Sequence, residues 1–534
     1  MKRKLLTALL CGALMLTSLA GCGQGAGNQS GTSAGSESAV KDELVFVNYR
    51  DIRDLNPHLY AGEMYAQSIL YDTLVSNTSE GYVGCLAEDW TISEDGRIYT
   101  FNIRDGVTFS DGTPCDANAI LANFNAILEN RERHTWLEMM NLLVGVSAPD
   151  DDTFVIEMSE PYYPMLTELA CIRPFAMISP NCMIDGSTKD GVNGYIGTGP
   201  YVLTDFVTDE YAVFERNENY WGEKPAIRKI TVKVIPDNQT RIMALENGEI
   251  DLIFGKNMLD ADAISQYVDS DKFTVGLSDP TSTRHIVLNT THDILGDKSV
   301  RQALQHATNR QAISEGIFYG LEPAADTLYS TTVPYCDVNL EPYAYDADEA
   351  ARLLDEAGWT MGSDGVRAKD GQKLALDLLY NSDSVTEKTI SEYLQSEYLK
   401  LGISLNIHGE EEQSYRDNMK AGNFDMVFNI CWGMPYDPQS SLAAMRAPVY
   451  GDYAAQQGLE DKAEIDQAIT DILTSTDETK RQELYTFVLT RLHEDAVYLP
   501  LTFETNKALY TSDLKGVHFG TDQYDVDFAS MYFA

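Results

Sequence analysis

From about Leu277 onward, helix-like and strand-like runs alternate, and this alternation constrains the fold more than any other feature. Val300–Ile313 and Ala347–Ala357 have helical spacing, the second closed by Gly358. Leu374–Tyr380 reads as a strand, Thr386–Leu401 as a helix closed by Gly402, and Ile403–Ile407 and Phe424–Ile430 as further strands. Regular alternation of this kind calls for an α/β architecture with helices packed on a largely parallel sheet. The acidic stretch Glu460–Glu483 reads as helical, and Val497–Thr502 as a last strand before the tail.

The first half is more mixed. Leu44–Tyr49 opens as a strand, Met64–Leu74 has helical spacing, and strand-like runs around Trp90, Tyr99–Ile103 and Val107–Phe109 are separated by three Asp-Gly turns. Asp116 is a fitting N-cap for a helix with Ile120, Phe124, Ile127 and Leu128 on one face. Past that helix, Arg133 and Trp136 stand three residues apart and are spaced to share a face. Phe154–Met158, Tyr201–Thr204, Ile230–Ile235 and Ile250–Phe254 read as strands, and Thr240–Glu246 as a short helix. Gly197-Thr198-Gly199-Pro200 is a tight turn; it does not fit a phosphate loop, since no helix follows and the lysine is missing.

The chain begins Met1-Lys2-Arg3-Lys4, followed by the apolar run Leu5–Ala20, which is too short to span a bilayer comfortably. Leu19-Ala20-Gly21-Cys22 resembles a bacterial lipobox, which implies a lipoprotein signal over residues 1–22, with Cys22 acylated as the mature N-terminus. Residues 23–40 are rich in Gly, Ser and Ala and read as a flexible tether. No other apolar stretch reaches membrane length, so the expected location is the extracytoplasmic face of the cell membrane, held by the lipid anchor. A formal net charge of −43 excludes nucleic acid as a partner, because phosphates would be repelled. Of the eight cysteines, six remain after Cys11 and Cys22; no C-x-x-C occurs, they are expected to be buried thiols, and a Cys171–Cys182 bridge stays open. There is no H-E-x-x-H and no G-x-S-x-G, and the eight histidines are dispersed, so neither hydrolase nor resident-metal chemistry is indicated.

Cys431–Pro438 presents Trp432, Met434 and Tyr436 on a loop stiffened by Gly433, Pro435 and Pro438. Alone, it is equally suited to wall a cleft or to plug a core.

Leu86–Pro114, with its Tyr-Thr-Phe-Asn-Ile-Arg-Asp-Gly core, resembles the signature segment of the family 5 extracellular solute-binding proteins, the receptors of peptide and nickel ABC importers. Gly197–Tyr201, Arg216–Trp221, Gly248–Asp251, Val300–Leu304 and Ala357–Trp359 carry the same resemblance. Asn56–Tyr60, Asn130–Glu138, Arg173–Phe175, Arg216–Lys229, Trp432–Pro438 and Ala496–Pro500 are similar to the nickel-receptor subgroup. The resemblance implies a two-lobed periplasmic-binding-protein-like fold with a hinge: lobe one over residues 41–278 with an extra subdomain at about 76–195, lobe two over 279–502, and a return to lobe one over 503–534. It implies a non-enzymatic, monomeric receptor that captures nickel or a related transition metal as a small chelate and delivers it to an ABC permease and its ATPase. Arg173 would grip the chelator's carboxylate, since a guanidinium fork matches a carboxylate bidentately. Arg133, Trp136, Met64, Trp432 and Tyr436 would line the same cleft, with Arg446 a further candidate. The place where such receptors can offer a histidine to the metal falls near Tyr450, which leaves the protein's own metal ligand unknown; Cys431, Cys171 and Met64 offer sulfur nearby. Peptide-binding relatives of this type carry an acid where Pro435 stands, which weighs against peptides, although an oligopeptide receptor is the alternative.

Overall fold

A ten-stranded sheet, seen here in a computed structural model, organises the chain; the structure describes residues 41–78, 81–255, 258–431, 438–520, 524 and 526–534. The strand order is Tyr201–Val207, Tyr211–Arg216, Lys229–Val234, Glu43–Asn48, Leu252–Phe254, Tyr498–Thr511, Phe273–Leu288, Met426–Cys431, Ala375–Asn381 and Ser404–Glu410. Glu43–Asn48 is parallel to both its neighbours, and so is Ala375–Asn381. Two parallel cores are thus joined by one antiparallel pair, Phe273–Leu288 against Tyr498–Thr511. One end of that pair is bordered by Leu252–Phe254 and the other by Met426–Cys431, so the two long strands belong to both halves.

Separate apolar clusters lie in each half. Leu44, Phe46, Ile69 and Phe214 pack in one cluster of the first half, and Val47, Ile253 and Leu245 in another. In the second half, Ile286, Leu304, Leu378 and Leu394 form one cluster, and Val287, Val427, Ile469 and Val488 another. Successive residues of one strand feed opposite clusters, as the period of two requires. The α/β class and the two-lobed arrangement expected from the sequence are what the structure has. The expected limits at 278/279 and 502/503 fall inside the two long strands.

A further antiparallel sheet of four strands, Ala87–Ile92, Ile98–Ile103, Thr153–Met158 and Leu143–Ser147, has its own core with the helix Ala117–Glu129. The Asp116 carboxylate caps that helix by accepting from Ala119 N at 2.9 Å. Its buried face carries Phe124, whose ring lies 4.8 Å from Phe154 and 5.9 Å from Phe175. Tyr163, on a turn of this subdomain, reaches the second half: its hydroxyl bonds Glu478 Oε1 at 2.7 Å and Tyr335 at 3.0 Å, and its ring lies 3.4 Å from the Arg481 guanidinium.

Several local expectations are corrected. The run Val300–Ile313 is two helices, Lys298–Ala307 and Arg310–Ile317, because the Asn309 side chain caps a new start by accepting from Ala312 N. Glu460–Glu483 likewise divides into Lys462–Thr474 and Glu478–Glu494, the second capped by Asp477. The Met64 helix stops at Leu70, not Leu74. Gly197 and Gly199 serve packing: a Cβ on Gly197 would lie 2.0 Å from the Leu70 carbonyl oxygen, and one on Gly199 2.6 Å from the Leu70 carbonyl carbon. Cys85, Cys115, Cys171, Cys182, Cys336 and Cys431 are all buried thiols, and the bridge between Cys171 and Cys182 is not formed.

Candidate functional site

The Asn56-Pro57-His58 turn follows the first strand. Asn56 Oδ1 accepts from the His58 amide, and its Nδ2 donates to the Thr188 carbonyl at 2.8 Å. His58 is buried between the Thr188 hydroxyl at 2.8 Å and the Ala176 carbonyl at 3.3 Å, and burial lowers its pKa to about 3. It is a neutral structural histidine, and it fixes where Tyr60 emerges.

Tyr60 gathers the candidate residues. Its hydroxyl accepts from Trp136 Nε1 at 2.8 Å and bonds His134 Nδ1 at 2.7 Å. The guanidinium carbons of Arg133 and Arg173 each lie 5.8 Å from its ring centroid. Arg173 Nη1 donates to the carbonyls of Tyr60 at 3.0 Å and Gly62 at 3.1 Å. Burial pushes the Tyr60 hydroxyl up to about 12, against the opposing Trp136 hydrogen bond and the two arginines, so it stays protonated. His134, which has no exposed surface, is lowered to about 4 by burial first and by Arg133 second.

Packing far from the site places these groups. The Arg131 guanidinium donates to the carbonyls of Met140 and Leu143, which anchors the turn bearing Arg133, His134 and Trp136. Arg173 stands beside Pro174 and Phe175, and Phe175 is held by Phe124. Asn123 on the capped helix grips both the amide (2.9 Å) and the carbonyl (3.0 Å) of Ile178, fixing the segment that follows.

Arg173, Tyr60 and Met64 line a cavity of about 940 Å³ that extends to Arg284, Glu387, Arg416 and Ile430 in the second half. A second cavity of about 690 Å³ is lined by Trp136 and Tyr450. Asn381, Glu387, Arg416, Ile430 and Tyr524 line both, so the two are continuous. At the back of the first cavity, where the long strands cross, Arg284 pairs with Glu504 and lies 3.7 Å from Glu322; Lys507 lies 3.2 Å from Glu322. This nearly buried group is charge-balanced.

Of the residues singled out in the sequence, Arg173, Arg133, Trp136 and Met64 therefore border one continuous cleft or its Tyr60 hub. Tyr450 lines the cleft as well. Arg446 lies on neither cavity; its Nη1 donates to Thr470 Oγ1 at 2.8 Å. Trp432, Pro435 and Tyr436 lie outside the described residues, as does Cys22. Cys431 and Cys171 are buried and do not line either cavity, and burial holds the Cys431 thiol well above its ordinary pKa. Among the described residues no group of three or more His, Cys, Asp and Glu is placed to hold a metal ion, and no helix is long and apolar enough to cross a membrane. Tyr60 is the central residue that sequence reasoning did not select; its one signal was its place in Asn-Pro-His-Leu-Tyr.

The profile of the bacterial extracellular solute-binding proteins, family 5 Middle, matches residues 81–452. The nickel-binding periplasmic protein of Escherichia coli (strain K12) is 41% identical, over 92% of this chain and 94% of its own length. The crystal structure of NikA from Brucella suis in complex with Fe(III)-EDTA superposes with a TM-score of 0.89 at 44% identity, covering 92% of this chain and 100% of that one. The periplasmic oligopeptide-binding protein OppA of Salmonella typhimurium is 26% identical over 98% of this chain and 97% of its own.

Proposed function

Because the chain belongs to the family 5 bacterial extracellular solute-binding proteins, which are binding components of ABC importers and not enzymes, we propose that it captures nickel or a related transition metal as a small-molecule chelate and hands it to a membrane permease. The observation that carries this reading is the grouping of Arg173, Arg133 and Trp136 around Tyr60 at the mouth of a large cleft. Two guanidinium groups beside aromatic walls suit an organic anion that wraps a metal: the arginines take carboxylates, and the rings exclude water. Likeness to a nickel-binding protein and to one crystallised with Fe(III)-EDTA supports the same reading. The cargo metal is then coordinated chiefly by its chelator.

In this account the lobes, 41–278 with 503–534 and 279–502, close on the chelate, and Trp432 and Tyr436 are the second lobe's proposed solute-binding residues. Cys22 anchors the monomeric protein by its lipid, and residues 23–40 tether it near the permease. An oligopeptide receptor is the second reading. It is favoured by the continuation of the cleft into the 690 Å³ cavity, which leaves room for a longer solute.

Titration calorimetry with nickel and free L-histidine tests the proposal. Arg173→Ala is expected to lower affinity at least about tenfold, the range of one lost charge-assisted bond, with an unchanged circular dichroism spectrum. An Arg173→Ala protein that binds the chelate as tightly as wild type refutes the carboxylate role.

A further inference from the structure

Among the described residues, the 940 Å³ cavity is lined by six arginines, Arg50, Arg53, Arg173, Arg241, Arg284 and Arg416, against three glutamates, Glu63, Glu387 and Glu504. That excess of positive charge stands in a chain whose net charge is −43. Three of the arginines are paired within the protein: Arg50 with Glu63, Arg284 with Glu504, and Arg416 with Glu412. Arg173 is the group already assigned to a carboxylate.

Arg241 and Arg53 are left. Arg241 is nearly buried, and its four hydrogen bonds all go to main-chain carbonyls, of Ile235, Pro236 and Met258. Those bonds use four of its five donors, and Asp260 and Asp237 offset its charge in part without contacting it, so among the described residues no carboxylate touches it. Burial favours losing that charge, so an anion nearby is favoured. Arg53 is exposed, and its guanidinium makes no hydrogen bond or ion pair among the described residues. Its backbone has φ +55°, a left-handed conformation that a long side chain adopts only against a steric cost.

The loop bearing Arg53 lies close to Arg173. The Glu63 amide donates to the Ile52 carbonyl at 3.1 Å, and a Cβ on Gly62 would meet the Asp54 carbonyl oxygen at 2.4 Å. Arg173 donates to the Gly62 carbonyl. The Arg53 loop and the Arg173 side chain therefore adjoin the same Gly62 turn, and both arginines face one cavity.

We propose that Arg53 is a third anion-recognition residue of the cleft, beside Arg173 and Arg133 and backed by the buried charge of Arg241, and that the preferred solute is a metal complex carrying net negative charge, a polycarboxylate chelate in preference to a neutral one. This rests on the chelate-binding reading above. A surface arginine serving only solubility needs neither a strained backbone nor a place in the cavity wall, and in so acidic a chain it would meet carboxylates readily. A net positive cleft also concentrates anions from solution, with a rate that falls as salt rises.

The experiment titrates wild type, Arg53→Gln, Arg53→Lys and Arg53→Gly with two probes, nickel–EDTA, a dianion, and nickel bound by two L-histidines, a neutral complex. Wild type is expected to bind the dianion more tightly, and the preference should shrink as salt is raised. Arg53→Gln should weaken the dianion about tenfold or more while changing the neutral complex less than about threefold. Arg53→Lys should recover part of the loss. Arg53→Gly frees the left-handed backbone, so it should melt no lower than wild type yet bind the dianion as poorly as Arg53→Gln. That result separates recognition from folding. Equal wild-type affinity for the two probes, or equal weakening of both by Arg53→Gln, overturns the inference and leaves chelate binding standing. A wild type that binds peptides and neither nickel complex overturns the proposed function, and this inference with it.

Discussion

Replacing Tyr60 by phenylalanine removes one oxygen from the centre of the site and keeps its ring. The oxygen serves Trp136 Nε1 at 2.8 Å and His134 Nδ1 at 2.7 Å. His134 has no exposed surface, and its Nε2 already has no hydrogen-bond partner among the described residues. Without Tyr60 both ring nitrogens are buried and unsatisfied, which costs about 1–3 kcal/mol. Trp136 is 46% exposed, so its N–H turns to water at little cost. The expected loss of stability is therefore about 2 kcal/mol, nearly all of it from His134. For a folded part of roughly 490 residues melting as one unit, an unfolding entropy of ~2.1 cal/mol/K per residue makes that a fall in Tm of about 2 °C. Binding should suffer separately. A Trp136 no longer pinned by Tyr60 must be ordered by the ligand, at about 0.5–1 kcal/mol, or about a twofold to fivefold rise in Kd. Scanning calorimetry gives the first quantity and titration calorimetry with a nickel chelate the second. Tyr60→Leu should do worse on both, because it also removes the ring beside Arg133 and Arg173. If Tyr60→Phe melts and binds as wild type does, the hydroxyl does not organise the site and the reasoning fails.

Tyr163 permits a graded test of the contact between the subdomain and the second half: Tyr163→Phe loses the bonds to Glu478 and Tyr335 and should cost about 1–2 kcal/mol, while Tyr163→Ala also strips the ring from wholly buried Arg481 and should cost about 2 kcal/mol more, read as two successive drops in Tm. His58 gives a pH test. Its pKa is about 3 when folded and 6.5 when unfolded, so the unfolded chain binds the extra proton and the stability it contributes is lost as pH falls below 6.5. By pH 5 that loss is about 2 kcal/mol, at ~1.36 kcal/mol per pH unit; His58→Gln should remove this share of the acid sensitivity in chemical denaturation, and an unchanged slope would refute it. Gly197→Ala should drive a methyl into the Leu70 carbonyl and shift the helix that carries Met64, at about 1–3 kcal/mol or more, with chelate affinity falling in the same variant.

Where sequence patterns are local, they anticipated the structure well. Asp116 caps its helix as its type requires, and Gly358 and Gly402 follow helix ends with positive φ. Of the two long strands, Phe273–Leu288 escaped detection and only the start of Tyr498–Thr511 was read, as Val497–Thr502, for a physical reason. Phe273–Leu288 contains Gly276, Asp279 and Pro280, which break an apolar alternation, and its middle buries Thr281, Ser282, Thr283 and His285. Tyr498–Thr511 buries Thr502, Glu504, Thr505 and Asn506 in the same zone. Thr281 and Ser282 bond Glu504 of the other long strand, and Thr502 bonds Glu322, pairings that no single stretch of sequence discloses. The site divides in the same way. Arg173, Arg133 and Trp136 were legible through resemblance, but what joins them is Tyr60, more than seventy residues away along the chain. Arg53 carried no sequence signal, since its left-handed backbone arises from the packing of its loop on Gly62.

The central claim, that this cleft receives a metal chelate, is tested most directly by one competition. The purified protein, stripped of bound solute, is titrated in parallel with nickel plus L-histidine and with a mixture of dipeptides to pentapeptides at the same concentration. The account predicts a saturable, one-to-one heat for the nickel chelate, absent when either nickel or histidine is omitted, and no displacement by peptides. Tight peptide binding with no heat from the nickel chelate would contradict it.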